Sequence, residues 1–482
     1  MKKNIVFILA DQLRQDFCGC YGADWLSTPN IDKLASEGVL YQDAVSPSPA
    51  CVPVRASLMT GMSALENRVL DNGKWLRPDR LAMGIETLPE KLVKNGYHTA
   101  AIGKMHFYPW DICEGFRQRV IAEDKRHTYI QDDYTIFLKK HGYDRYHANV
   151  YEGFYDNKGA VVSTLPDELN IDKFVCDQTI DYLKAIDKEN PFMLMVGFPG
   201  PHCPYDPTQA MIDKLPEGKA CPKAVPVTKD TTMLSKQNHI DNRQAWNGVD
   251  LSDLNDEKIE LIRKYYSANV QNIDNLVGEI IDALKKEGLY DNTVIVFSSD
   301  HGDYLGDYGM LGKGHFYKSS FGIPLIVKDP STDHQTVSHP VSLVDVHNTI
   351  LHFADIKTKD TADNTKLAPF GENNEREPIF GNIQYGYMLK DDKYLFSNYH
   401  NGIRELYDIV ADPGQTVNLI DKAEYKELAS EYQSKLSSKI IQGINKSNDD
   451  MNAKNNMAKT SGTDDPFNHK GWQRPYPSKT KS

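Results

Sequence analysis

From residue 4 the chain reads Asn-Ile-Val-Phe-Ile-Leu-Ala, an almost unbroken apolar run that stops at Asp11 and Gln12. A strand with one wet face alternates apolar and polar residues, so a continuous run reads as a strand buried on both faces of a parallel sheet. The same pattern recurs at 99–102 before Gly103-Lys104-Met105-His106, at 192–196 before Pro199-Gly200-Pro201-His202, and at 293–297 before Asp300-His301-Gly302-Asp303. Four buried strands thus deliver polar groups to one edge, where open α/β sheets place their sites. Residues 323–327 read as a further buried strand. Apolar residues three and four apart predict helices over 30–37, 87–95, 174–187 and 256–287. Residues 341–354 read as another, opened by Ser342 or Pro340. This alternation predicts an α/β/α sandwich.

Residues 206–258 are polar and rich in Pro, Lys, Asn and Asp; they read as a surface excursion without fixed structure, placed to rim a site. From Arg376 the texture changes to short alternating runs at 385–389, 393–398 and 405–409, with the turn Lys390-Asp391-Asp392 between two of them. These predict a small antiparallel sheet, followed by a helix over 422–441 and a polar tail without apolar period that crosses the surface or is mobile. The expected division is a catalytic α/β domain over 1–375 and a small C-terminal subdomain over 376–482.

Composition narrows the picture. With 40% hydrophobic residues in 482, the chain can bury a large core without covalent staples. Its 55 Lys and Arg against 67 Asp and Glu give a net charge of -12, the wrong balance for gripping nucleic acid or anionic lipid. No apolar stretch approaches the roughly 18 residues of a membrane span, so integral membrane association is not expected. Met1-Lys2-Lys3 and the run after it resemble a leader superficially, but the run is short and ends in Asp11 with no small-residue cleavage site. The chain as given reads as cytoplasmic, and as periplasmic or exported if a leader was removed. Seven Cys, an odd number with no CxxC, indicate neither a disulfide framework nor a zinc-thiolate site. They read as reduced core thiols, with one exception.

The exception is Cys51, in Cys51-Val52-Pro53-Val54-Arg55-Ala56-Ser57-Leu58-Met59-Thr60-Gly61. Pro53 suits the first turn of a helix, which puts Cys51 at its N-terminus with Arg55 one turn on. Orphan N–H groups and a guanidinium both favour negative charge there, so the motif reads as an anion site built around a nucleophile. Asp11 and Gln12 at one strand end, with Asp300 and His301 at another, make an oxygen-rich set with one imidazole that suits Ca²⁺ or Mg²⁺ better than zinc. Gly302, Gly306, Gly309, Gly312 and Gly314 make 300–314 a flexible loop able to bring Lys313 close; the chain has no phosphate-loop consensus and no dinucleotide fingerprint. Lys104 and His106, two apart on an extended backbone, would point the same way, and cations converging there call for an anion.

CVPVRASLMTG resembles the signature of the sulfatase family, in which a Cys in a C-x-P-x-R frame is oxidised to formylglycine. NIVFILADQLR, GKMHF, Pro201-His202-Cys203-Pro204, the SANVQNIDNLVGEIIDALKKEGLYDNTVIVFSSDHGD block and ELYDIVADPGQTVNL are similar to sulfatase segments in the family's order, together spanning about residues 4–440. The resemblance implies an alkaline-phosphatase-like fold, a sandwich with a large mixed sheet plus a smaller C-terminal domain of antiparallel sheet and helix. It implies sulfuric ester hydrolysis, with Cys51 converted by a formylglycine-generating maturation enzyme. Asp11, Gln12, Asp300 and His301 would hold one divalent cation, Ca²⁺ ahead of Mg²⁺ or Mn²⁺. Arg55 would orient the nucleophile, Lys104, His106, His202 and Lys313 would clasp sulfate and move protons, and Asn72 would lie near the substrate. One hydroxyl of the hydrated aldehyde would attack sulfur while His202, or next Lys313, protonates the leaving alcohol. His106 would then take the proton of the second hydroxyl and expel sulfate.

Three positions depart from many relatives. Val54 replaces Ser or Ala, Gln12 replaces Asp, and Asp300-His301 replaces Asp-Asn and is similar to the pair in phosphonate monoester hydrolases and some choline-type sulfatases. A phosphodiester or phosphonate monoester hydrolase is therefore the first alternative, since such esters and sulfate monoesters both carry one negative charge. A non-catalytic sulfoglycan-binding protein with an unmodified Cys51 is the second. The polar rim favours a sulfated carbohydrate as substrate.

Overall fold

Strand β1 (Asn4–Asp11) is buried along its whole length, and its side chains divide between two cores. Val6, Ile8 and Ala10 face one layer, which holds apolar residues of the helices Pro29–Ser36, Ile171–Ala185 and Asp256–Lys286. Ile5, Phe7 and Leu9 face the other, with residues of the helices Cys51–Thr60, Leu88–Lys94 and Asp345–Phe353. This alternation on a doubly buried strand is what makes its sequence apolar throughout. The computed structural model describes residues 2–448 apart from 82, 245–247, 359, 362 and 372–375; the expected tail lies largely outside the described residues.

In the sheet, β1 pairs in parallel with β6 (Phe192–Pro201) on one side and β7 (Thr293–Ser299) on the other. Beyond β6 come β4 (His98–Gly103) and the edge strand β5 (Gln118–Ile121), both parallel. Beyond β7, β8 (Leu325–Lys328) runs antiparallel, followed by β2 (Val39–Tyr41) and β9 (Gln335–Val337), which closes the eight-stranded order β5-β4-β6-β1-β7-β8-β2-β9. A two-stranded sheet joins β3 (Ala44–Val45) to β10 (Val341–Ser342). The C-terminal part is an antiparallel meander, β11 (Ile379–Ile383), β12 (Gly386–Lys390), β13 (Tyr394–Tyr399) and β14 (Arg404–Asp408), covered by the helix Lys426–Ser447.

The sandwich with a large mixed sheet and a small antiparallel sheet is as expected, with local differences. Residues 206–258 carry two helices, Gln209–Asp213 and Thr232–Gln244, where no fixed structure was expected. The first is capped by Thr208 and buries Met211 and Ile212. The second is held by polar pairing: Asn238 Nδ2 donates to the Leu311 carbonyl at 2.9 Å and its Oδ1 accepts from the Leu311 N–H at 3.1 Å. Such a helix carries little apolar period to read. The helix expected over 341–354 starts only at Asp345, because Val341 and Ser342 pair with β3 and Asp345 accepts from the Ser342 N–H at 2.8 Å. The strand expected over 323–327 is shifted to Leu325–Lys328. β2, β3, β5, β9, β10 and β11 are not among the expected strands; most are very short, and β5 is a partly exposed edge.

The edge that carries the strand ends depends on one close approach. Gly103, at φ +97°, lies against Gly197, and a Cβ at Gly103 would meet the Gly197 carbonyl oxygen at 2.1 Å; one at Gly197 would meet the Lys104 carbonyl at 2.1 Å. Only glycine adopts that φ without strain while clearing the neighbouring backbone. Gly103→Ala is expected to lower stability by about 2–4 kcal/mol, from overpacking and an unfavourable φ together. Urea unfolding checks this, and an unchanged midpoint would show that the two strand ends can separate freely.

Candidate active site

The parallel strands end at one level, so Asp11, the residues after β4, His202 after β6 and Asp300 after β7 share an edge. The helix Cys51–Thr60 enters this edge with Cys51 as its first residue, after Ala50 in extended conformation. Asn72 Oδ1 accepts from the Val52 N–H at 3.1 Å. The structure thus gives Asn72 a concrete task at the helix start, satisfying one of its orphan donors.

Cys51 is buried, with Sγ 3.1 Å from His301 Nε2, 3.2 Å from Lys313 Nζ and 3.8 Å from Asp11 Oδ1. Burial alone pushes this thiol up, but Lys313, His301, Lys104 and His106 outweigh it and hold the thiol well below its ordinary range. The glycine-bearing loop after β7 does bring Lys313 to the thiol.

Arg55 lies one turn along the helix and is only 2% exposed. Its Nε donates to Asp300 Oδ2 at 2.9 Å, its Nη2 to Asp11 Oδ2 at 3.1 Å and its Nη1 to the Lys104 carbonyl at 2.7 Å. This engages one oxygen of each carboxylate and leaves the two Oδ1 atoms toward His301, whose Nε2 lies 3.9 Å from Asp11 Oδ1 and 3.6 Å from Asp300 Oδ1. Ligand atoms of Asp11, Cys51, Asp300 and His301 all lie within 4.8 Å of one another. Two carboxylates and an imidazole converging in a buried site fit a divalent cation with a preference for oxygen. His301 Nδ1 sits 2.9 Å from the Gly302 carbonyl, which takes its N–H and leaves Nε2 as the ligand atom.

Gln12, at φ +65°, has its amide fixed at both ends. Oε1 accepts from Lys313 Nζ at 2.8 Å, and Nε2 donates to the Asp303 carboxylate. A carboxylate at position 12 would need no orienting, whereas an amide must be told which end faces the site, and an acceptor-only partner does so. Asp303 also accepts from the Tyr205 hydroxyl at 2.7 Å, the Leu305 N–H at 3.0 Å and the Gly312 N–H at 2.9 Å. One buried carboxylate therefore orients Gln12 and anchors the backbone beside Lys313.

Lys104 and His106 both face the thiol, but not along an extended segment. His106 sits at φ +58°, and the N–H groups of Met105 and His106 donate to Glu123 at 3.2 and 3.1 Å. The anion that Lys104 calls for is on the chain itself: Nζ pairs with Asp11 Oδ2 and Asp124 Oδ2, each at 2.6 Å. His106 Nδ1 is buried without a hydrogen-bond partner. His202 Nδ1 lies 2.6 Å from the Cys203 carbonyl, and its Nε2 faces Lys313 Nζ at 2.9 Å and Arg126 Nη2 at 3.3 Å. Burial, then Lys313 and Arg126, push His202 down to about 3, so it is neutral and its Nε2 accepts. Lys313 Nζ in turn donates to Cys51 Sγ.

Asp124, Arg126 and Asp303 went unrecognised in the sequence. The first two follow a short edge strand with no apolar run to mark it, and Asp303 hid behind the ligand pair at 300 and 301. All seven cysteines are free; Cys18, Cys51, Cys176 and Cys203 are buried, whereas Cys113 is exposed and so is no core thiol.

The sulfatase family model matches residues 3–356, and the model for the C-terminal part of N-sulphoglucosamine sulphohydrolase matches 306–442. An arylsulfatase of Clostridium perfringens is 29% identical over 479 residues, covering 92% of this chain and 95% of its own. The phosphonate monoester hydrolase of Agrobacterium radiobacter superposes with a TM-score of 0.77 at 23% identity, covering 92% of this chain and 96% of that one. A structure solved with its substrate D-glucosamine-2-N,6-O-disulfate superposes at 0.69 with 22% identity, covering 92% and 98%. Both likenesses are of fold.

Asp303→Asn removes the charge that four donors share and frees the Gln12 amide to turn. A stability loss of about 1–3 kcal/mol in urea unfolding is expected. No change would show that the carboxylate does not hold these segments together.

Proposed function

The chain belongs to the sulfatase family, and we propose that it is a sulfuric ester hydrolase acting on a sulfate monoester of a hydrophilic alcohol, a sulfated carbohydrate first, with residue 51 as the nucleophile. The observation that carries this reading is Cys51 at a helix N-terminus, buried between Lys313 and His301 with Arg55 one turn behind. Converted to formylglycine by a maturation enzyme, residue 51 would supply a hydrated aldehyde, one hydroxyl to attack sulfur and the other to let the ester product collapse. Asp11, Asp300 and His301 would hold one divalent cation, Ca²⁺ by donor type, with the Gln12 oxygen beside them; the cation would neutralise sulfate oxygens and favour ionisation of the nucleophile.

The remaining work falls to the chain's own groups. Arg55 keeps the carboxylates aimed. Lys313 takes precedence over His202 as proton donor to the leaving oxygen, because burial and its cationic neighbours hold His202 neutral, with Nε2 facing Lys313 Nζ as an acceptor. His202 would orient that ammonium, and after the alcohol has left with the proton, Lys313 would regain one from water. His106, whose Nδ1 is buried without a hydrogen-bond partner, would take a proton from residue 51 as sulfate leaves. Lys104, already paired to Asp11 and Asp124, contributes field rather than a free clasp.

The Asp300-His301 pair also favours a second reading, phosphodiester or phosphonate monoester hydrolysis in the same site. Sulfate release from an aryl sulfate is compared with release of a phosphate monoester from the matching aryl phosphodiester; faster phosphodiester turnover would reverse the order. Conversion of Cys51 lowers the intact mass by about 18 Da. Fully converted protein inactive on a broad panel of sulfated sugars and on phosphodiesters would support the sulfoglycan-binding reading instead. Cys51→Ala is expected to cut turnover by roughly 10⁴-fold or more while unfolding at a similar temperature. Comparable activity in that variant would remove residue 51 from the mechanism.

A further inference from the structure

Between β5 and the helix Asp133–Lys140 the chain crosses the site as Glu-Asp-Lys-Arg-His-Thr-Tyr, residues 123–129. This loop is held rigidly. The Glu123 N–H donates to Asp132 Oδ2 at 2.9 Å, and the carbonyls of Glu123 and Asp124 accept from Arg145 Nη2 at 2.7 and 2.8 Å. Lys125 Nζ donates to the Pro204 carbonyl at 2.6 Å and to Asp206 at 2.5 Å, tying the loop to the segment that carries His202.

Within the loop, buried Asp124 grips Arg126 with both oxygens, Nε to Oδ1 at 2.9 Å and Nη2 to Oδ2 at 2.9 Å. Such a bidentate pair fixes a guanidinium in place. Arg126 is then 3.3 Å from His202 Nε2, on the side of the nucleophile where Lys313 would meet the leaving oxygen. Its side chain is 13% exposed, and its Nη1 makes no hydrogen bond among the described residues. Asp124 also pairs with Lys104, which has Asp11 as a second partner, so the one carboxylate that holds Arg126 is shared between two cations.

Rings line the same approach. His106 lies 5.3 Å from His127 and 5.7 Å from Tyr108, and His127 lies 5.5 Å from Tyr129, which is 62% exposed at the rim. Burial first of all pushes His127 down to about 4, so near neutral pH it offers a ring rather than a charge.

We propose that residues 123–129 form the subsite for the leaving alcohol, and that it takes a ring bearing a second anionic group, a carboxylate or a second sulfate, on Arg126. The inference rests on the hydrolase reading above. A rigid guanidinium with a donor to spare recognises an oxyanion with little ordering cost, and a file of rings suits a pyranose or aryl face.

The test uses full-length, formylglycine-bearing protein and a matched pair of 4-nitrophenyl sulfates with and without a ring carboxylate, with a disulfated analogue as third arm. The wild type is expected to favour the acidic esters at least tenfold in kcat/KM. Arg126→Gln should erase that preference mainly through KM, and Arg126→Lys should keep part of it. Because Arg126 is packed on Asp124, the unfolding temperature of each variant is measured first, and the preference ratio is read within each protein. No preference in the wild type, or one untouched in Arg126→Gln, would overturn the proposal. If neither sulfate is hydrolysed, the sulfatase reading fails on its own. The carboxylate-bearing and plain aryl phosphodiesters, or calorimetric binding of the two intact aryl sulfates, then put the same question to Arg126, with the same two outcomes.

Discussion

The site depends on one buried guanidinium. Arg55 joins the carboxylates at the ends of β1 and β7 and the carbonyl at the end of β4, so a single side chain fastens the helix that begins with Cys51 to three strands. Its charge is what allows Asp11 and Asp300 to lie side by side out of water; without it two buried carboxylates would repel, and each would gain by taking up a proton. It takes Oδ2 of each, so the Oδ1 atoms are the ones that face His301, and Asp300 Oδ1 is fixed there by the Gln12 and His301 N–H groups at 3.0 and 2.9 Å. The geometry of the nucleophile and that of the candidate metal site are in this sense one arrangement.

Outside that pair the charges are distributed in layers. Asp303 orients the neutral amide of Gln12 and secures the loop beside Lys313, while Asp124 balances Lys104 and holds Arg126. Asp124 is ion-paired and Asp303 is fully hydrogen-bonded, the forms in which a protein interior tolerates ions. They keep four long side chains from searching alternative rotamers, which is the condition for stabilising charge at the moment it develops. The neutrality of His202 follows first from its burial and then from the same crowding: a third positive charge between Lys313 and Arg126 would be costly, so the imidazole accepts instead.

Much of this was legible because strands buried on two faces advertise themselves and their ends are where chemistry collects. Asp11, Lys104, His202 and Asp300 lie where that rule points, and Cys51 and Arg55 are marked by the Pro in the first turn of their helix. Lys313 needed the glycines of its loop to be read as reach. What escaped had no periodicity to betray it. The helix Thr232–Gln244 is polar and fastened by Asn238 to a loop carbonyl, β5 is a half-exposed edge, and Asp124 and Arg126 sit in an irregular crossing whose value comes from where β4 and β6 happen to end. The turn at His106 could not be seen either, since an extended reading of Lys104 and His106 gave the right neighbours through the wrong backbone.

The account stands on a cation held at the edge that Arg55 organises, next to a modified residue 51. The measurement that reaches it most directly is the divalent metal content per chain, taken with sulfate release before chelation, after exhaustive chelation and after Ca²⁺ is restored. One equivalent of metal, with release lost on chelation and regained with Ca²⁺, is the predicted result. Undiminished sulfate release from protein stripped of all metal would contradict it.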